Sequence, residues 1–252
     1  GDGMTQTHSR VALITGGARG LGRAIGLALA KQGWSIAICY RSSKDEAEKT
    51  IEEVKALHEQ ADGMAFQCDV SDPVAAEELV RQVESAFGRI DALINGAGPY
   101  HRVGLFKEAI EGWHSMFDNN LHPVFYLSRF VAPGMKERKW GRILSFSMAT
   151  AEKVEAKPMV TAHYIAKLGI LALTRALARP LAPHGITVNT ISPGYIDTQS
   201  APQEELDRML KHIPAGYIGK PDDIVGCALF LLSEDAHYVN GANITISGGW
   251  GV

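Results

Sequence analysis

Along this chain, short runs of apolar and β-branched residues alternate with longer stretches in which apolar positions return every three or four residues. RVALIT, SIAICY, MAFQC and IDALIN have the character of buried strands. Between them, Leu21 to Gln32, Lys44 to Glu59 and Pro73 to Phe87 carry the helical period. The alternation continues through Phe106 to Lys139, GRILSFS, a helix from about Val160 to Arg179, GITVNTIS and NITISG. A parallel neighbour is reached only by a crossover, so strand–helix–strand repetition builds a parallel sheet. The pattern predicts an α/β fold: one doubly wound, seven-stranded parallel sheet with helices on both faces.

No linker, low-complexity tract or repeat of solenoid period interrupts the pattern, so residues 9–252 are expected to form a single domain. Residues 1–8, with GDG ahead of Met4, read as a tag remnant and N-terminal tail. The least regular long stretch runs from Asp197 to Gly219. Pro202 and Pro214 flank an amphipathic piece bearing Leu206, Met209, Leu210 and Ile213, which suits a flap over a site or a surface helical hairpin.

Composition narrows the function classes. A net charge of −3 with 21% charged residues and no polybasic stripe gives no support to nucleic-acid binding. The longest apolar runs break well short of the roughly 20 residues a bilayer span needs. Cys39, Cys68 and Cys227 are odd in number and lie in apolar segments, as reduced thiols of a cytoplasmic protein do. The nine histidines fall in no metal-ligand spacing, so no metal is expected.

Chemistry concentrates at the ends of the strands. Gly16, Gly17, Gly20 and Gly22 cluster between the first strand and the first helix, which opens Gly20-Leu21-Gly22. Glycines there let the backbone approach a pyrophosphate, while the helix N-terminus supplies N–H groups and the positive end of its dipole. The second strand ends Tyr40-Arg41-Ser42, with no acid to accept a free ribose 2′-hydroxyl. Arg41 offers a guanidinium fork for a 2′-phosphate, Ser42 a further donor, and Arg19 positive charge within the glycine loop. The expected cofactor is NADP(H).

In this order the residues resemble the short-chain dehydrogenase/reductase family over nearly the whole chain, from about Ser9 to Val252. Gly16, Gly20 and Gly22 match the family's TGxxxGxG loop, and CDV, with Asp69 and Val70, is similar to its adenine-contacting turn. Asn95, Gly96, Ala97 and Gly98 are similar to its NNAG. NNLHPVF puts Asn120 at the position of the family's catalytic asparagine. ISPGYIDT, with Pro193, Gly194, Ile196 and Thr198, resembles the loop that holds the nicotinamide carboxamide. GRI, APHGITVN and KPDDI are most like the 3-oxoacyl-acyl-carrier-protein reductase type.

The resemblance implies a tyrosine that donates a proton, a lysine four residues on that lowers its pKa, and a serine on the preceding strand. Here AKLGI fixes Lys167 as the lysine, and the tyrosine place falls on His163. Tyr164 stands one position later, about 100° around a regular helix. The serine place falls on Met148, with Ser147 before it and Thr150 after as candidate hydroxyls. Tyr164 is the preferred donor, brought onto the cofactor face by a shifted helix start or π-bulge before Lys167, with His163 as its understudy. His163 serves if its neutral imidazole polarises the carbonyl, since the Lys167 ammonium disfavours the imidazolium. Lys167 is also expected to hold the nicotinamide ribose.

The expected function is hydride transfer from NADP(H) to a carbonyl, such as a 3-oxoacyl thioester or related ketone. Two alternatives stand beside it: a nucleotide-binding member whose catalysis is lost or altered, and an enoyl thioester reductase. By resemblance the chain associates with copies of itself as a dimer or tetramer.

Overall fold

The computed structural model describes residues 9–96, 98–199 and 201–252. The first half repeats strand and helix with little between: β1 (Val11–Thr15), α1 (Gly20–Lys31), β2 (Ser35–Tyr40), α2 (Lys44–Leu57), β3 (Gly63–Gln67), α3 (Pro73–Phe87) and β4 (Ala92–Asn95). A loop with a 3₁₀ turn at Leu105–Lys107 leads to α4 (Ile110–Asn120) and α5 (His122–Arg138). Then follow β5 (Gly141–Phe146), α6 (Thr161–Leu181), β6 (Ile186–Pro193), α7 (Gln203–Leu210), α8 (Pro221–Leu232) and β7 (Asn243–Ile246). All pairings are parallel, in the order β3-β2-β1-β4-β5-β6-β7. This is the doubly wound sheet that the alternation of elements predicts.

Both faces of the sheet are covered, which is why its strands read as nearly continuous apolar runs. Ala12 and Ile14 of β1 pack with Ile25 and Leu29 of α1, Ile51 and Val54 of α2, and Ile224 and Leu231 of α8. The alternate residues Val11 and Leu13 face Leu79 and Val83 of α3, Leu127 and Val131 of α5, and Leu181 of α6. Each fully buried Leu or Ile contributes about 1.5–3 kcal/mol of transfer free energy. The two layers together hold the strand ends rigid.

Two elements depart from the sequence-based expectation. The single helical stretch from Phe106 to Lys139 is two helices meeting at Leu121, because Pro123 has no N–H to continue the α4 ladder. Helix α8 was not anticipated, its apolar residues forming a run rather than a stripe. Its start was nonetheless encoded: Pro221 occupies the first turn, and the Lys220 N–H donates to Asp223 Oδ2 at 2.8 Å.

At the amino ends of the strands, buried Asp91 accepts from the Val11 N–H and from Arg89, tying β4 to β1. At the opposite ends, β1 and β4 lie side by side while their chains depart in opposite directions. In open α/β sheets that divergence leaves a crevice suited to a ligand. Among the described residues no helix is long and apolar enough to cross a membrane, and no cluster of three metal-ligating side chains occurs.

Candidate active site

The crevice is lined first by backbone. Gly16 and Gly20 both take positive φ, 63° and 61°, and turn the chain from β1 into α1. A Cβ on Gly22 would lie 2.7 Å from Gly16 O, so no side chain fits under the turn. A Cβ on Gly96 would come within 2.0 Å of Thr15 O, and the Gly96 N–H donates to Thr15 Oγ1 at 2.9 Å. The tips of β1 and β4 therefore approach as bare backbone and leave an open ledge at the start of α1. Its exposed N–H groups and dipole suit a pyrophosphate.

At the end of β2, Tyr40 O accepts the Cys68 N–H at 3.0 Å, bringing the turn after β3 alongside. Arg41 Nη2 lies 3.4 Å from Asp69 Oδ2. The Ser71 hydroxyl bonds Asp69 at 2.7 Å and, with Arg41 facing it, holds that carboxyl below its usual range. Ser42 is exposed beside Arg41, and Val70 is partly buried against the core. Arg19 precedes α1 with its side chain largely exposed, 3.8 Å from Glu46. Leu21 packs on the core beneath the loop.

On the far side, Gly194 N donates to Ile246 O, and a Cβ on Gly194 would lie 2.8 Å from Ser247 Cβ. Pro193 ends β6, and Ile196 bridges Gly219, closing the base of the segment that carries α7. A Cβ on Gly20 would lie 3.9 Å from Thr198 Cγ2, so this segment reaches back to the glycine loop. Ala97, expected among the cofactor contacts, lies outside the described residues.

The reacting end is built on α6. Lys167 is buried, and its Nζ donates to Phe146 O at the end of β5 at 3.0 Å. Burial pushes its pKa down to about 8. His163 lies one turn earlier on the same helix face. Burial, then the charges of Lys167 and His101, push its pKa down to about 4, so the imidazole is neutral at ordinary pH. The Tyr100 ring packs 5.3 Å from it, centroid to centroid. Among the described residues its ring nitrogens make no hydrogen bond.

Tyr164 corrects an expectation. Helix α6 runs regularly from Thr161, with no π-bulge to turn Tyr164 toward Lys167. The side chain is instead buried beneath the preceding loop. Its hydroxyl bonds Thr150 O at 2.9 Å and Ala151 O at 3.2 Å and accepts the Glu155 N–H at 2.9 Å. A phenol held by three backbone groups is an anchor for the loop, with no free proton to give. Ser147 is likewise engaged: it is buried and donates to Lys167 O at 2.7 Å, stapling β5 to α6.

Asn120 ends α4 and is buried. Its Nδ2 donates to Met116 O at 2.9 Å and to Pro99 O at 3.0 Å, while Oδ1 has no partner among the described residues. Asn95 Nδ2 bonds Ser145 Oγ at 3.1 Å, joining β4 to β5. Gly98 sits against α4, where a Cβ would meet Asn119 O at 2.4 Å. The loop after β4 is thus fixed against the helix that bears Asn120.

A family model described as enoyl-(acyl carrier protein) reductase matches residues 16–251. This chain belongs to the short-chain dehydrogenase/reductase family. The 3-oxoacyl-[acyl-carrier-protein] reductase FabG of Staphylococcus aureus is 36% identical over 98% of this chain and 99% of its own. The acetoacetyl-CoA reductase of Rhizobium meliloti is 36% identical over 96% and 98%. A solved double-mutant short-chain dehydrogenase/reductase of Serratia marcescens superposes with a TM-score of 0.90 at 32% identity, covering 96% of this chain and 98% of that one.

A short-chain dehydrogenase/reductase is an oxidoreductase that works with a nicotinamide cofactor. Met148, expected in the family's serine place, is half-buried. The sequence reading missed Tyr100, His101 and Glu108. Their signal was position: GPYHR follows directly on the turn after β4, at the strand end beside the switch point.

Proposed function

We propose that this chain is an NADP(H)-dependent reductase of a 3-oxoacyl thioester or related ketone, with His163 as the group that hydrogen-bonds the substrate oxygen. The observation that carries the reading is the pairing of an intact glycine ledge with a neutral, unbonded imidazole one turn from the buried Lys167. The names of the relatives from S. aureus and R. meliloti support the substrate class.

The ledge at Gly16, Gly20, Gly22 and Gly96 would receive the pyrophosphate, with Leu21 N–H and the α1 dipole neutralising it. Arg41 and Ser42, with Arg19 nearby, would hold the 2′-phosphate; Arg41 would exchange part of its pairing with Asp69 for it. Asp69 and Val70 would flank the adenine, and Asn95, Gly96 and Gly98 would lie along the adenosine ribose. Pro193, Gly194, Ile196 and Thr198 would meet the carboxamide, and Lys167 the nicotinamide ribose. The bound cofactor supplies the hydride. His163 would orient the carbonyl and carry a proton to its oxygen, and residues 197–219 would cover the acyl group. Asn120 fixes the loop beside it through Pro99 O. The setting we expect is a cytoplasmic homo-oligomer.

A second reading has its own support. Met148 in the serine place and a tyrosine hydroxyl held by three backbone groups favour a nucleotide-binding member without turnover. NADPH oxidation with acetoacetyl-CoA separates the two. The first reading expects turnover that His163→Ala lowers roughly a hundredfold. Tight NADPH binding without turnover of acetoacetyl-CoA or an enoyl-CoA supports the second, and turnover of the enoyl thioester alone makes the chain an enoyl reductase.

A further inference from the structure

The loop between β4 and α4 places a second titratable pair beside His163. His101 Nε2 lies 2.7 Å from Glu108 Oε2, and the Glu108 side chain is only 11% exposed. Gly112 in α4 makes the room: a Cβ there would come within 2.0 Å of Glu108 Oε1 and 3.3 Å of His101 Cε1. The loop is pinned from both flanks. Asn120 Nδ2 donates to Pro99 O at 3.0 Å, and Val103 N–H donates to Met159 O, just before α6, at 2.9 Å. Tyr100, between these pins, lays its ring against His163.

We propose that Glu108 and His101 are positioning residues that deliver protons to His163. This rests on the reading above, in which His163 faces the substrate oxygen. Reduction of a carbonyl places a hydride on carbon and one proton on oxygen; the nicotinamide supplies the first and solvent the second. A neutral imidazole passes a proton without becoming a cation: one nitrogen gives its N–H to the oxygen while the other takes a proton from His101 across one bridging solvent molecule. His101 then regains a proton from bulk water through its exposed side, 40% of the side chain. The Glu108 carboxylate, 2.7 Å from His101 Nε2, fixes the ring on the loop. The charged and titratable groups around His163 are Lys167 on its own helix, Tyr100 and His101 on the loop, and Glu108 behind His101. The cationic neighbours keep His163 neutral, the state the relay requires.

Two variants of the full chain test the proposal, His101→Gln and Glu108→Gln, with NADPH and acetoacetyl-CoA as probes. His101→Gln is expected to lower kcat roughly tenfold or more with NADPH affinity unchanged, and added imidazole to restore part of the rate. Glu108→Gln, which frees the His101 ring, is expected to lower kcat several-fold with NADPH affinity unchanged, and added imidazole to restore part of the rate. In the ligand-free protein, the His163 C2–H resonance of His101→Gln titrates above about 4, because a like charge has gone. An unchanged kcat in both variants together with an unchanged His163 titration overturns the proposal. If His101→Gln fails to fold, Glu108→Gln carries the same comparison, and without turnover the resonance titration decides. If His163→Ala leaves kcat intact, the assignment of His163 has failed, a different result from a silent His101.

Discussion

His163 and Tyr164 are neighbours in sequence and differ in every physical respect that matters to chemistry. The histidine is on the Lys167 face, neutral and without a hydrogen bond to its ring among the described residues; the tyrosine is buried with its hydroxyl bound three times over. Tyr164→Phe is expected to lower stability by about 1–3 kcal/mol, since it strands the Glu155 N–H beneath the loop. It should leave kcat within a few-fold, and a large kcat loss in a stably folded variant would contradict the assignment. His163 also links stability to pH. The unfolded chain binds its proton below about 6.5 and the folded chain only below about 4, so stability falls as pH drops through that window. The difference amounts to at most about 3 kcal/mol. His163→Gln should flatten the decline in urea midpoint between pH 7 and pH 4.5; parallel declines would show that the depression is absent.

At the scale of elements, the structure turns on how closely β1 and β4 approach. Gly96→Ala places a methyl group against Thr15 O, and the strand tips must separate. The expected cost is about 1–3 kcal/mol, with NADPH binding lost as the ledge distorts. A variant that binds NADPH normally would show that the tips are not the ledge. The inner strands β1, β2, β4 and β5 were legible because they are buried almost end to end and so carry nearly unbroken apolar runs. The glycine ledge was legible because its backbone geometry demands a residue without Cβ. Helix α8 was hidden by the same apolar continuity that marks a buried strand. The His101–Glu108 pair was hidden for another reason: its place beside His163 depends on Asn120 bonding Pro99 O and Val103 bonding Met159 O. Those contacts join segments that no periodicity connects.

For the whole molecule, two sequence-distant halves meet at one edge. Residues through β4 build the glycine-lined tips of β1 and β4, and the chain from β5 onward brings Lys167, His163 and the segment whose Thr198 reaches back to Gly20. On the proposed reading, His163 and Met148 lie outside the first half, so nucleotide affinity and turnover are expected to be separable. The most direct test is calorimetric titration with NADPH and with NADH, on the parent chain and on Arg41→Ala. A charge-assisted contact to the 2′-phosphate is worth about 1.5–3 kcal/mol, or roughly a ten- to hundredfold difference in Kd. The account predicts that NADPH binds tighter than NADH by about that factor and that Arg41→Ala erases most of the gap. Equal affinities in the parent chain, or no heat from either nucleotide with the sheet intact, would contradict it.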